Sequence, residues 1–86
     1  MARYMSLHTV ACLTRQGAEE LSRRLAAAQG FAVPRVAVNL TEGKMVVEYE
    51  ADDRKLIEKW LARERFHHEW LLRLELEWRD GKLEPA

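Results

Sequence analysis

The chain has 86 residues, of which 48% are hydrophobic and 33% are charged, and its 14 basic and 14 acidic residues cancel. This size allows one domain with one core and excludes a second, and zero net charge removes the field that draws proteins to nucleic acid or anionic membranes. Cys12 is the single cysteine, which excludes an internal disulfide and is compatible with a reducing compartment. We therefore expect a cytoplasmic protein without nucleic-acid or membrane partners.

The first half of the chain predicts a strand, a helix and a hairpin. Residues 3–10 carry β-forming types without helical spacing, and Thr14 then offers an N-cap ahead of apolar residues at steps of three and four. Gly30 ends this helix. Residues 33–40 and 44–50 alternate between apolar and polar on either side of a short glycine-containing turn, which predicts a β-hairpin.

The second half predicts a helix and a long strand. Asp52 or Asp53 caps the helix, which ends near Arg65. In residues 70–78, large apolar side chains occupy all five even positions and charges occupy three of the four odd ones, a period of two that predicts one long, half-buried strand. Residues 80–86 form a C-terminal turn followed by a tail or a stub of returning strand.

The resulting order, βαββαβ, predicts an α+β fold of the ferredoxin-like type. Its four-stranded antiparallel sheet has the order 4-1-3-2 and carries both helices on one face, as right-handed crossovers require, within a single domain of residues 1–79. Alternation places Tyr4 and His8 on the open face of the sheet. The expected core face comprises Met5, Leu7, Val36, Val38, Leu40, Met45, Val47, Tyr49 and the even residues of the last strand.

The length of the last strand predicts a homodimer. Nine residues span roughly 30 Å, whereas helices of about thirteen to fifteen residues cover only some 20 to 23 Å, so the strand overhangs its helical cover. The open face also holds more apolar residues than an isolated, solvated face usually shows. Two copies would then pack through the open sheet face or by pairing of the overhang. The predicted dimer interface comprises Tyr4, His8, Val46, Leu71, Leu76 and Trp78.

A metal site is predicted where three loops meet. The ferredoxin-like topology brings the end of the first strand, the hairpin turn and the end of the second helix together, and with them Cys12, His67 and His68. Imidazole and thiolate ligands suit zinc, nickel or copper. The alternative interpretation is that both histidines are solvated loop residues and that Cys12 is a small buried hydrophobe.

Three functions remain open at this point. The first is a non-enzymatic, dimeric module that binds a small ligand or a transition metal through His67 or His68 together with Cys12. The second is a small dimeric α+β barrel-type enzyme in which His8 or His68 moves a proton on an organic substrate. The third is a regulatory protein-interaction module. RNA recognition is disfavoured because Tyr49, the one aromatic residue of the third strand, is assigned to the core.

Several short features are shared with one known family: His8 in a short first strand, Leu13-Thr14 at the helix start, Lys44 opening the third strand, the segment Tyr49-Glu50-Ala51-Asp52-Asp53, and Ile57 in the second helix. On these features, residues 3–76 resemble a family of small ferredoxin-like proteins of mostly uncharacterised function, among which nickel binding has been described. The resemblance implies this fold and favours metal binding and dimerisation, and it assigns no ligand residue. The chain departs from the family pattern at residues 65–68, where small or turn-forming residues are usual.

Overall fold

The computed structural model describes all residues from Met1 to Ala86 and contains two helices and six strands. Four strands and both helices follow the order predicted from the sequence, and two short strands come after them. The elements are β1 (Ala2–Thr9), α1 (Arg15–Ala26), β2 (Ala32–Asn39), β3 (Lys44–Ala51), α2 (Arg54–Arg63), β4 (Trp70–Leu74), β5 (Leu76–Arg79) and β6 (Lys82–Pro85).

The main sheet has four antiparallel strands in the order β2-β3-β1-β4. This confirms the predicted α+β class and strand order, and it is consistent with a ferredoxin-like fold. The predicted long strand is interrupted at Glu75, so that β4 stays in the main sheet while β5 pairs with β6 in a separate two-stranded sheet. The C-terminal residues therefore form a returning strand.

Side chains cap both helices as the sequence predicts. Thr14 Oγ1 accepts a hydrogen bond from the Gly17 amide at 3.0 Å, and Asp53 Oδ1 accepts one from the Lys55 amide at 2.9 Å. Each bond satisfies a backbone donor that the first turn of a helix leaves free. Both helices contribute to one core on the same sheet face, since Leu25 and Ile57 cluster with the buried residues of β3.

The predicted orientation of β1 is wrong. Tyr4, Ser6 and His8 are buried beneath the helices, whereas Met5 and Leu7 lie on the open face. The open face of this strand is the more apolar one, so the apolar pattern alone selects the wrong face. The polar groups of Ser6 and His8 are tolerated inside because each finds a hydrogen-bond partner there.

The same shift of one residue applies to β4. Leu71 is 4% exposed and pairs with Ser6, while Trp70 and Leu72, which were predicted to be inside, are 38% and 42% exposed on the open face. Because successive strand residues point to opposite faces, the register with β1 decides the orientation of every side chain of β4. The prediction for β3 is confirmed: Met45, Val47 and Tyr49 are fully buried, as is Ala51 at the end of the strand.

The predicted core residues of β2 lie at the edge of the fold. Val36 is half-buried, but Val38 and Leu40 are 41% and 45% exposed. β2 is an outer strand with a partner on one side only, so its far end receives little cover from the helices.

Neither helix is both long enough and apolar enough to cross a membrane.

Candidate functional site

Three of the six predicted interface residues lie inside the folded chain. Tyr4, His8 and Leu71 are 5%, 0% and 4% exposed, so they do not form a surface for a second copy, and this part of the prediction is wrong. The reason is the one-residue shift in orientation of β1 and β4 described above. Of the other three, Val46 is half-buried on the open face, and Leu76 and Trp78 are 56% and 71% exposed on β5.

The buried interior contains a chain of polar side chains that runs from the core to the loop after α2. The hydroxyl of Tyr49 and Ser6 Oγ are 2.6 Å apart, and Ser6 Oγ and His8 Nε2 are also 2.6 Å apart. His8 Nδ1 lies 2.8 Å from the carbonyl oxygen of His67. The imidazole of His8 also stacks on the ring of Phe66, with centroids 3.9 Å apart and an interplanar angle of 7°.

The chemistry of these groups fixes the direction of all three hydrogen bonds that link Tyr49, Ser6, His8 and the His67 carbonyl. The His67 carbonyl can only accept, so His8 Nδ1 carries the ring proton and donates it. In the neutral imidazole Nε2 must then accept, which makes the Ser6 hydroxyl its donor. The Ser6 oxygen in turn accepts from the Tyr49 hydroxyl. No buried side-chain nitrogen or oxygen in the protein lacks a partner.

Burial shifts the pKa values of His8 and Tyr49, the two ionisable side chains of this hydrogen-bonded row, so that the neutral form of each is favoured. Desolvation lowers the pKa of His8 to about 4, although its bond to the His67 carbonyl acts in the opposite direction. Desolvation also raises the pKa of Tyr49 to about 12, against the effect of its bond to Ser6. His8 and Tyr49 are therefore neutral at pH 7, and the hydrogen-bond directions given above apply there.

The pairing of Ser6 with His8 has the geometry of a nucleophile and its base, with the His67 carbonyl as the group that orients the base. Access decides against this interpretation. Ser6, His8 and Tyr49 are each 0% exposed, and none of the five surface cavities is lined by any of them. We conclude that these polar groups join the core of the sheet to the loop after α2.

A Schellman motif places that loop. The Phe66 amide donates to the Leu61 carbonyl at 2.9 Å, and the Arg65 amide donates to the Ala62 carbonyl at 3.2 Å, which satisfies two carbonyls at the end of α2. Phe66 and Leu61 are both buried, as this motif favours. Arg65 has φ of 55°, in the left-handed region where glycine is the usual residue. The chain then continues into His67 and His68.

The predicted metal ligands do not form a cluster. Cys12 is exposed and has φ of 55° in the turn after β1, His67 is exposed and His68 is half-buried. The structure contains no group of three or more His, Cys, Asp or Glu side chains placed to hold a metal ion. Topology brings three loops to one end of the sheet, but Cys12, His67 and His68 do not form such a group there.

The start of β4 is attached to β1 and β3 by a surface network on the open face. Thr9 Oγ1 donates to Glu69 Oε1, Lys44 Nζ donates to Thr9 Oγ1 at 2.8 Å, and Lys44 lies 3.4 Å from Glu69. The hydrogen bond from Thr9 is the main cause of the lowered pKa of Glu69, with Lys44 contributing. This network holds the end of the loop after α2 in place.

Most large exposed apolar residues lie on β4 and the β5–β6 hairpin. We call Met5, Leu7, Trp70, Leu72 and Leu74 the apolar strip; in the sheet register Leu7 pairs with Trp70 and Met5 with Leu72, which places them side by side on the open face. On the hairpin, Leu76, Trp78 and Leu83 are 56%, 71% and 59% exposed. The hairpin is joined to the main sheet by the ion pair of Arg3 with Glu77 at 2.6 Å.

Comparisons of the chain with protein-family models, with curated proteins and with solved structures gave no match. Sequence reasoning missed Ser6, Phe66 and Arg65. Ser6 shares the period-two spacing of Tyr4 and His8, so a polar inward face was the one available signal for it.

Proposed function

We propose that the protein is a non-enzymatic interaction module that acts as a homodimer, with the apolar strip and the exposed apolar side chains of the β5–β6 hairpin as its interface. The observation that carries the proposal is the contiguous row of large apolar side chains on the open face. A lone antiparallel sheet usually presents polar residues to water on its outer face. Here β1 and β4 present Met5, Leu7, Trp70, Leu72 and Leu74 instead.

A second copy is the occupant that suits this surface. The other half of the open face carries Glu48, which forms ion pairs with Arg3 at 3.4 Å and with Arg35 at 2.9 Å. With zero net charge as well, the face offers no field to an oppositely charged partner. An uncharged strip is complementary to itself, as a two-fold interface requires.

The exposed apolar area is sufficient in scale. A standard interface buries about 800 Å² per partner, about an eighth of the 5965 Å² surface of this chain. With roughly 250 Å² per tryptophan, Trp70 and Trp78, at 38% and 71% exposure, offer about 270 Å² between them. Leu72, Leu76 and Leu83 add to this area, so burial of β4 and the hairpin supplies most of the surface that a dimer needs.

Sedimentation equilibrium on a matched pair of variants tests the proposal. Leu72→Lys puts a charge in the centre of the strip, whereas Leu40→Lys puts the same charge on an equally exposed leucine, 45% against 42%, that lies off the strip. We expect the wild type and Leu40→Lys to be dimers at tens of micromolar and Leu72→Lys to be a folded monomer. A monomeric wild type, or a Leu72→Lys variant that still dimerises, would contradict the proposal.

A further inference from the structure

We infer that the loop after α2 forms a binding site for a small organic carboxylate with an apolar body. The site is a surface cavity of about 350 Å³ with both apolar and cationic or imidazole side chains in its wall. This volume is within the range of small-molecule sites, which combine an apolar lining with a few polar groups. Its lining residues include Leu61, Phe66, Arg65, His67 and His68.

Arg65 is the group that would bind the carboxylate. Eight of the ten arginines form ion pairs within the chain, and Arg65 is one of the two that do not. A free guanidinium can hold a carboxylate through two parallel hydrogen bonds. The imidazoles of His67 and His68, with ring centroids 6.4 Å apart, add further N–H donors at the same wall.

The backbone supplies a second, independent observation. Arg65 occupies the C′ position of a Schellman motif at φ of 55°, where glycine would be free of strain. A residue in this conformation is held there by its surroundings, and such outliers cluster at functional sites. At this position an arginine lowers the stability of the helix end, and it places a cation at the mouth of the cavity.

No acidic side chain near the cavity forms an ion pair with the Arg65 guanidinium. Glu58, the one acidic residue of the cavity wall, is 3.7 Å from Arg54 and shares its charge with that residue. The negative end of the helix dipole is reduced, because the two Schellman bonds use two carbonyls and Arg24 lies 3.4 Å from the Glu64 carbonyl. The apolar body of the ligand would pack against Leu61, Ala62 and the small part of Phe66 that reaches the cavity wall.

The test uses benzoate as the probe and benzamide as its neutral isostere, at constant ionic strength, with the His67 and His68 ring protons followed by NMR. We expect saturable benzoate binding with a dissociation constant on the order of 10 mM or tighter, and binding of benzamide and of acetate at least about tenfold weaker. Benzamide binding as tight as that of benzoate would refute recognition of the carboxylate. Acetate binding as tight as that of benzoate would refute a contribution from the apolar body of the ligand. The absence of saturable benzoate binding would refute the site.

Arg65→Gly separates binding from folding. This variant relieves the left-handed strain, so its thermal midpoint should rise while benzoate affinity falls at least about tenfold. Arg63→Gln is the control, since Arg63 pairs with Glu64 and does not line this cavity. Benzoate binding that survives in Arg65→Gly, or that is lost equally in Arg63→Gln, would overturn the inference. None of the residues that line the cavity belongs to the apolar strip, so benzoate binding and the oligomeric state are measured on different residues.

Discussion

Buried His8 should make the protein sensitive to mild acid. Its pKa is about 4 in the folded chain, against an ordinary value of 6.5 for the unfolded chain. Between these two values the unfolded state binds more protons than the native state, so the free energy of unfolding falls as the pH falls through this window. The contribution is fully present above pH 6.5 and is lost progressively towards pH 4.

The size of the effect follows from the two pKa values. Between pH 8 and pH 5 the loss is about 2 kcal/mol, and complete protonation below pH 4 brings it to about 3 kcal/mol. A domain of this size has only about 5 to 10 kcal/mol of stability in total. His8 alone therefore accounts for a large share of the acid sensitivity, because its protonation puts a charge into a site that has donors and acceptors for the neutral ring only.

Urea unfolding at a series of pH values, at one protein concentration, measures this contribution. His8→Gln removes the titrating group, so its stability should lack about 2 kcal/mol of the decline that the wild type shows between pH 8 and pH 5. Tyr49→Phe is the control: it removes one buried hydrogen bond and about 1 kcal/mol of stability but keeps the slope. Identical slopes in wild type and His8→Gln would refute the assignment of His8 as a buried neutral imidazole.

Four further substitutions test the local structure by chemical denaturation. Gly43→Ala and Gly81→Ala both place alanine at positive φ, which costs about 1 kcal/mol of stability. Only at Gly43 would the new Cβ lie 2.8 Å from the Val10 carbonyl oxygen, so Gly43→Ala should be the more destabilising by at least about 1 kcal/mol. Equal losses of stability would mean that the chain relaxes this contact at no cost. Thr14→Ala should cost about 1 kcal/mol through loss of the α1 cap, and an unchanged stability would show that the cap is not needed. Leu25→Ala should cost 2 to 5 kcal/mol, roughly, because the side chain is fully buried, and a loss below about 1 kcal/mol would contradict the tight core.

Local chemistry made the elements of this fold readable from the sequence. Thr14 and Asp53 indicate where the helices begin, because their side chains accept hydrogen bonds from amides of the first turn. The alternation of residues 44–50 gave the correct buried face of β3, since its two faces differ clearly in polarity. From these elements the strand order followed, because short loops and right-handed crossovers leave few topologies.

The tertiary structure decided which side of β1 and β4 is inside. In both strands the more apolar face lies outside, with Met5 and Leu7 on β1 and Trp70, Leu72 and Leu74 on β4. The apolar pattern therefore favours the wrong orientation, and a shift of one residue exchanges every side chain. The choice depends on partners distant in sequence: Tyr49 for Ser6, and Phe66 with the His67 carbonyl for His8. The resulting surface, with the apolar strip outside and His8 inside, is therefore a property of the packed sheet that the pattern of residues 3–10 does not determine.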